Sequence, residues 1–328
     1  MQEAKRLALF AGPKTVTLAG GDIFTWPIVT EEDEQAVLEV LRRGGMSGTD
    51  VTKEFEKEMA EWHGVSHALG CNTGTAALHS AMWACGVGRG DEIIVPGFTY
   101  WASGLPALSL GATVVFADIE PDTLCLDPND IEHRITERTK AIVPVHLSGH
   151  PADMDPIMDI AERHGLKVIE DVSHAHGGRY KGRLLGTIGH VGAFSLMSGK
   201  AFAIGEAGMF ITNDRAIYER GLVFGHYGRH NELTLPELVA GAGMPWGGFK
   251  YRMHQLSSAM GRVQLKHYAA RVEEIQKAMN HFWDTVGDIP GIKAHRPDPS
   301  TGSCIGGWYA ARGLYRPEEL NGLPVARF

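Results

Sequence analysis

Lys200 stands five residues after Ser195 in the run Gly192-Ala193-Phe194-Ser195-Leu196-Met197-Ser198-Gly199-Lys200, and the glycine-rich turn Gly205-Glu206-Ala207-Gly208 follows it. The surroundings are apolar or small. Burial in such surroundings disfavours the ammonium form and lowers a lysine pKa. A lysine amine that is neutral near pH 7 attacks carbonyls and forms Schiff bases. The competing reading is a surface lysine in a loop. The choice rests on what the rest of the chain places beside it.

Three other stretches carry residue types that bear on the choice. In Asn72-Thr73-Gly74-Thr75-Ala76-Ala77-Leu78 a hydroxyl and a glycine open a helical stretch. Free N–H groups and the helix dipole make such a start an anion site; an ordinary N-cap is the alternative. Ser195 offers another hydroxyl for a phosphate. Pro96-Gly97-Phe98-Thr99-Tyr100-Trp101-Ala102-Ser103 holds aromatics that either stack on a planar ring or pack at a rim. Ile169-Glu170-Asp171-Val172-Ser173-His174-Ala175-His176 ends an apolar run on an aspartate. A carboxylate there is costly unless a cation or hydrogen bonds meet it. A protonated pyridine nitrogen is such a cation; a cap on the next turn is the alternative. His174 and His176 have no third ligand near them in sequence, so no metal site is expected. Gly86-Val87-Gly88-Arg89-Gly90-Asp91 has the look of a dinucleotide loop but precedes a strand, and reads as a helix-ending turn.

The elements that must position these residues follow from periodicity. Helices are predicted over 31–43, begun by Thr30 and three acidic residues, and over 51–63. From residue 67 short apolar runs alternate with helical stretches. Strands are predicted at 67–72, 92–96, 112–117, 141–146, 167–171, 191–195 and 209–212. Helices are predicted at 74–85, 103–110, 128–135, 154–164 and 253–281. Residues 225–250 read as a long loop. Apolar strands separated by helices imply an α/β fold with a mostly parallel sheet covered on both faces. Ligands bind such sheets at the carboxyl ends of the strands, where Gly74, Tyr100, Asp171 and Ser195 fall.

Composition narrows the function classes. The 328 residues suffice for two domains and a sizeable core. A net charge of −8 with no long Lys/Arg run argues against nucleic acid as the main partner. No run of about 18 apolar residues predicts a membrane span, and no secretory signal is read at the start. Cys71, Cys85, Cys125 and Cys304 are widely spread and fit reduced thiols in a cytoplasmic protein. A phosphate site, a stacking aromatic, an acid for a ring nitrogen and a Schiff-base lysine together describe pyridoxal 5′-phosphate.

With those residues in place, the chain resembles the DegT/StrS-type sugar aminotransferases, within the fold type I (aspartate aminotransferase-like) pyridoxal phosphate enzymes. The resemblance runs through Thr30-Glu31-Glu32-Asp33, Asn72 to Leu78, Pro96 to Tyr100, His146-Leu147-Ser148-Gly149-His150-Pro151-Ala152-Asp153-Met154-Asp155, Glu170-Asp171 and Phe194 to Lys200, and on to Tyr251-Arg252-Met253. It implies that Lys200 forms the Schiff base and moves the substrate proton, that Asp171 pairs with the pyridine nitrogen, and that His174 sits near the ring hydroxyl. It implies further that Tyr100 stacks on the ring, and that Gly74, the Thr75 and Ala76 amides and Ser195 hold the phosphate. Family members share the site across a homodimer, which makes Lys250, in Gly248-Phe249-Lys250-Tyr251-Arg252, a phosphate contact from the partner subunit; asparagine is usual there. An N-terminal arm (1–30), a large cofactor-binding unit (31–275) and a small unit (276–328) shorter than in the family are expected. The implied activity is transfer of an amino group from glutamate or glutamine to a keto-sugar, nucleotide-linked, or a keto-cyclitol. The opening residues 7–13 and Trp26-Pro27 resemble members acting on inosose-type cyclitols and aromatic amino acid precursors. The other readings are a catalytically silent cofactor-binding partner subunit or sensor, and a dehydratase or eliminase on the same fold.

Overall fold

The computed structural model describes residues 17, 25–241 and 248–327. Most of the arm expected over 1–30, with the 7–13 segment, lies outside the described residues. Helices α1 (Glu31–Arg42) and α2 (Asp50–His63) precede strand β1 (His67–Cys71). Then α3 (Gly74–Ala84), β2 (Glu92–Pro96), α4 (Leu105–Ser109), β3 (Thr113–Ala117), α5 (Pro128–Arg134), β4 (Thr139–Ile142), α6 (Met154–His164) and β5 (Lys167–Asp171) alternate. A hairpin of β6 (Arg179–Tyr180) and β7 (Arg183–Leu184) leads to β8 (Val191–Ser195) and β9 (Gly208–Thr212). Helices α7 (Arg215–Gly225), α8 (Pro236–Ala240) and α9 (Gln255–Val286) follow, and β10 (Ile292–Ala294) pairs antiparallel with β11 (Gly313–Tyr315).

Seven strands form one sheet in the order β1-β9-β8-β5-β4-β2-β3. From β8 to β3 every pairing is parallel, whereas β9 runs antiparallel to both β8 and β1. Successive side chains leave a strand on opposite faces. Ile94, Ile142, Val168, Phe194 and Ile211 enter one core with Phe55, Ile157 and Tyr268 from α2, α6 and α9. Ile93, Ala141, Ile169, Ala193 and Phe210 enter the other with Leu78 and Met82 of α3 and Leu222 of α7. Both faces of the inner strands are covered, which is why those strands read as unbroken apolar runs.

The structure departs from the sequence expectations in several places, the short pairs β6–β7 and β10–β11 among them. The strand expected over 141–146 is β4, Thr139–Ile142, because Pro144 has no N–H for the ladder. The helix expected over 103–110 begins as a 3-10 turn, Trp101–Ser103, and restarts as α4 with Pro106 in its first turn. Helix α7 was not anticipated, and the loop expected over 225–250 contains a 3-10 segment, Tyr227–Glu232, and α8; residues 242–247 lie outside the described ones. The last long helix starts two residues later than expected, where His254 caps it, and runs to Val286.

Candidate functional site

Six strands bring their carboxyl ends, and β9 its amino end, to one edge of the sheet. There lies a cavity of about 610 Å3 lined by Gly74, Thr75, Tyr100, Asp171, His174, Ser195 and Lys200, among others. These are seven of the expected site residues. Ala76 and Lys250 do not line it.

Lys200 reaches the cavity from the connection between β8 and β9. Its N–H donates to Met197 O (2.8 Å), Ser198 N–H donates to Gly205 O (2.8 Å), and Gly205 turns the chain with φ +97°. Such a φ favours glycine. Trp26 Nε1–H donates to the Lys200 carbonyl at 2.8 Å. Burial holds the ammonium below its ordinary pKa, and the Asp171 carboxylate opposes that shift. The Nζ lies 4.5 Å from the centre of the Tyr309 ring.

Asp171 ends β5 and is 4% exposed. Ser103 Oγ–H donates to its Oδ2 at 2.7 Å, and Ser173 N–H to its Oδ1 at 3.1 Å. No cation pairs with it at salt-bridge distance among the described residues. A carboxylate so buried, held only by neutral donors, is suited to a positively charged partner that arrives with a ligand.

The same cavity holds an anion cradle at the start of α3. Thr73 caps the helix by accepting from Ala76 N–H at 3.0 Å. That bond engages the Ala76 amide, expected to face a phosphate, while the Gly74 and Thr75 amides have no partner among the described residues. Two glycines make the cradle. A Cβ on Gly74 would stand 2.5 Å from Ser195 Cβ, and a Cβ on Gly208 would stand 2.2 Å from Thr73 O. The glycines thus let β8, β9 and the α3 terminus close on one another and bring the Ser195 hydroxyl to the helix start. Gly208→Ala is expected to cost about 1–3 kcal/mol by overpacking. Calorimetry should show a melting point lowered by several degrees, with phosphate-dependent cofactor binding weakened several-fold.

His174 stacks on Tyr309, ring centres 3.9 Å apart and planes at 5°. Its Nδ1 accepts from Ser148 N–H at 3.3 Å. Burial, with the nearby Lys200 and Arg312 charges adding, pushes its pKa down to about 4. The neutral ring therefore carries its proton on Nε2. His176 turns the other way into the core among Phe194 and Phe202, so the two histidines do not converge. Tyr100 stands at the mouth, 63% exposed, with Trp101 edge-on at 6.0 Å.

Ser103, Ser148, Ser173, Tyr309 and Arg312 were not singled out by sequence reasoning. Ser103 lies 68 residues from Asp171, and Tyr309 and Arg312 come from a stretch without periodicity. No local pattern signals such partners. A larger cleft of about 1050 Å3 lies between α1, α2 and α9. Its charges are satisfied by each other, as in Arg43–Asp50, Arg262–Glu58 and Lys266–Glu32. The donor set at the strand ends fits pyridoxal phosphate better than any other described surface: unspent N–H groups for phosphate, an unpaired buried acid for the ring nitrogen, and a desolvated lysine in the same cavity.

Comparison with known proteins agrees. The DegT/DnrJ/EryC1/StrS aminotransferase family model matches residues 27–314. GDP-perosamine synthase of Caulobacter vibrioides is 43% identical over 230 residues, covering 66% of this chain and 58% of that protein. L-glutamine:2-deoxy-scyllo-inosose aminotransferase of Streptomyces kanamyceticus is 43% identical over 202 residues, 60% of this chain and 47% of that protein. The chain thus spans about half the length of these two relatives. The crystal structure of 3-amino-5-hydroxybenzoic acid synthase superposes with a TM-score of 0.77 at 30% identity, covering 86% of this chain and 73% of the other. With the family model matching from before α1 to β11, the chain belongs to the DegT/DnrJ/EryC1/StrS aminotransferase family.

Proposed function

We propose that this chain is a pyridoxal phosphate-dependent aminotransferase that takes an amino group from glutamate or glutamine and delivers it to a keto-sugar, nucleotide-linked, or a keto-cyclitol. The observation that carries the reading is the placement of desolvated Lys200 and unpaired Asp171 in one cavity with an anion cradle. The relatives named for a GDP-sugar and an inosose support the acceptor class.

When bound, the cofactor supplies a carbonyl for the lysine and an electron-withdrawing ring. The chain does the rest. Gly74 and Thr75 amides and Ser195 Oγ would hold the phosphate, with Ala76 closing the helix turn behind them. Asp171, aimed by Ser103 and Ser173, would keep the proton on the ring nitrogen. His174 Nε2–H would donate to the ring hydroxyl, and Tyr100 would pack on the ring. Lys200 Nζ, whose ammonium form burial disfavours, would take a proton from the amine-bearing carbon of the donor and return one to the acceptor.

The reading includes a homodimer in the cytoplasm. Lys250 is exposed and outside its own chain's cavity, as a residue given to a partner's phosphate must be. The four cysteines are unpaired. No described helix is long and apolar enough to cross a membrane. The division into arm, large unit (31–275) and small unit (276–328) belongs to the same proposal. Protein loaded with the cofactor should show a visible absorption band that glutamate or glutamine bleaches and a keto-sugar nucleotide or keto-cyclitol restores. A band that no amino donor bleaches would overturn the reading.

A further inference from the structure

The segment ahead of α1 meets the turn that carries Lys200. Trp26 Nε1–H donates to the Lys200 carbonyl at 2.8 Å. Among the described residues, every other hydrogen bond made by 197–205 stays within 196–205. Ser198 and Gly199 are exposed. The lysine therefore follows the open tip of a self-contained turn, and the indole is its hydrogen-bonded tie to the rest of the chain.

Trp26 is itself held by α9. The amide of Gln264, 2% exposed, donates to Ile28 O at 3.0 Å and to Asp33 Oδ1 at 2.8 Å. Arg271 donates to Gln264 Oε1, and its guanidinium lies 6.0 Å from the centre of the Trp26 ring. Gln264, Tyr268 and Arg271 fall on one face of the helix. The Tyr268 ring packs edge-on against Phe202 with centres 4.9 Å apart, two residues past the lysine. One helix face thus fixes Lys200 from two sides. It acts through Phe202 beneath the turn and through Ile28 and Trp26 at the carbonyl.

Resting on the aminotransferase reading, we propose that Trp26 is a positioning residue for Lys200, and that residues 25–30 are a strap carrying the alignment of α9 to the lysine. The carbonyl it holds belongs to the peptide plane next to the Lys200 Cα. A lysine Nζ lies about 6 Å from its Cα, so a backbone rotation of about 10° displaces the amine by about 1 Å. A misplacement of that size costs up to about 100-fold in rate when the amine must meet a reacting carbon. Trp26 does not line the cavity, so its effect reaches substrate only through the lysine.

Trp26→Phe keeps a ring over Arg271 and removes the N–H. Trp26 is 38% exposed, so the variant should fold and melt within a few degrees of wild type. The first measurement uses cofactor-free protein: acetic anhydride labelling across pH, read at Lys200 by mass spectrometry. A loosened turn admits water to the amine, which favours the ammonium form. The pH of half-maximal Lys200 labelling should rise by about 0.5 to 1 unit, the scale of one lost hydrogen bond. Labelling of exposed Lys140 in the same digest should not change. In the loaded protein the single-turnover rate should fall about 10-fold, while the half-saturating donor concentration changes less than about 3-fold. The labelling reads the strap even if no donor is turned over, an outcome that would sink the aminotransferase reading alone. An unchanged Lys200 profile overturns the proposal. So does a shift shared by Lys140, or a melting point lowered by more than a few degrees, since either marks a general loosening of the fold. A loss seen in donor affinity with the rate unchanged overturns it as well, because it would give Trp26 a binding role.

Discussion

Lys200→Ala is expected to lower turnover by on the order of 10^4-fold while the protein stays folded. The nitrogen lost is the group that moves the substrate proton, and general acid–base groups are worth up to about that factor. Folding should survive, because Lys200 Nζ makes no ion pair among the described residues and its exchange leaves the backbone bonds Met197 O to Lys200 N and Gly205 O to Ser198 N in place. A lysine whose ammonium form is disfavoured by burial also costs the fold something, and alanine removes that cost. The measurement is single-turnover conversion followed by absorbance, beside a melting curve. Turnover within tenfold of wild type would remove Lys200 from the chemistry. A melting point more than a few degrees lower would show that its role is structural.

Asp171→Asn should separate stability from activity in the opposite sense. The carboxylate is buried and receives only two neutral hydrogen bonds, from Ser103 and Ser173. Removing its charge relieves a desolvation cost and keeps an oxygen to accept from Ser103. Cofactor-free protein should therefore melt no lower than wild type. Activity should fall about 10²–10³-fold, the usual scale for one preorganised electrostatic contact. The ring nitrogen would no longer be kept protonated, so the ring would draw electrons less strongly from the substrate carbon. Equal activity with a lower melting point is the result that would reverse the assignment.

Lys200 and Asp171 were legible because their chemistry is local. A lysine among small apolar residues and an acid at the end of an apolar strand announce themselves from type and position. The α/β alternation was legible for the same reason, since the inner strands are covered on both faces. What escaped is non-local. The Ser103 bond to Asp171 joins residues on two different strand ends. Arg312 and Tyr309 arrive from beyond α9, and nothing near them marks them as cavity residues. The Ala76 amide shows a subtler limit. Thr73 and the amide belong to one short motif, yet only the geometry reveals that the side chain spends the N–H a phosphate would take. The direction of β9 was likewise invisible, because an apolar run has the same pattern read either way.

That reversed strand has a consequence for how the protein assembles. In the seven-stranded sheet β1 pairs with β9, His67 opposite Thr212, 145 positions later in the chain, and its Cys71 also bridges Arg252, farther on still. Loop closure over such a separation is slow compared with local pairing. During synthesis β1 waits at the ribosome's earlier output until β9 has emerged, while β2 and β3 pair from neighbouring sequence. The phosphate cradle follows β1 directly and needs Gly208 against Thr73 to take shape. The cofactor's grip is therefore among the last parts of the molecule to form, and a chain that binds pyridoxal phosphate reports that its sheet is complete.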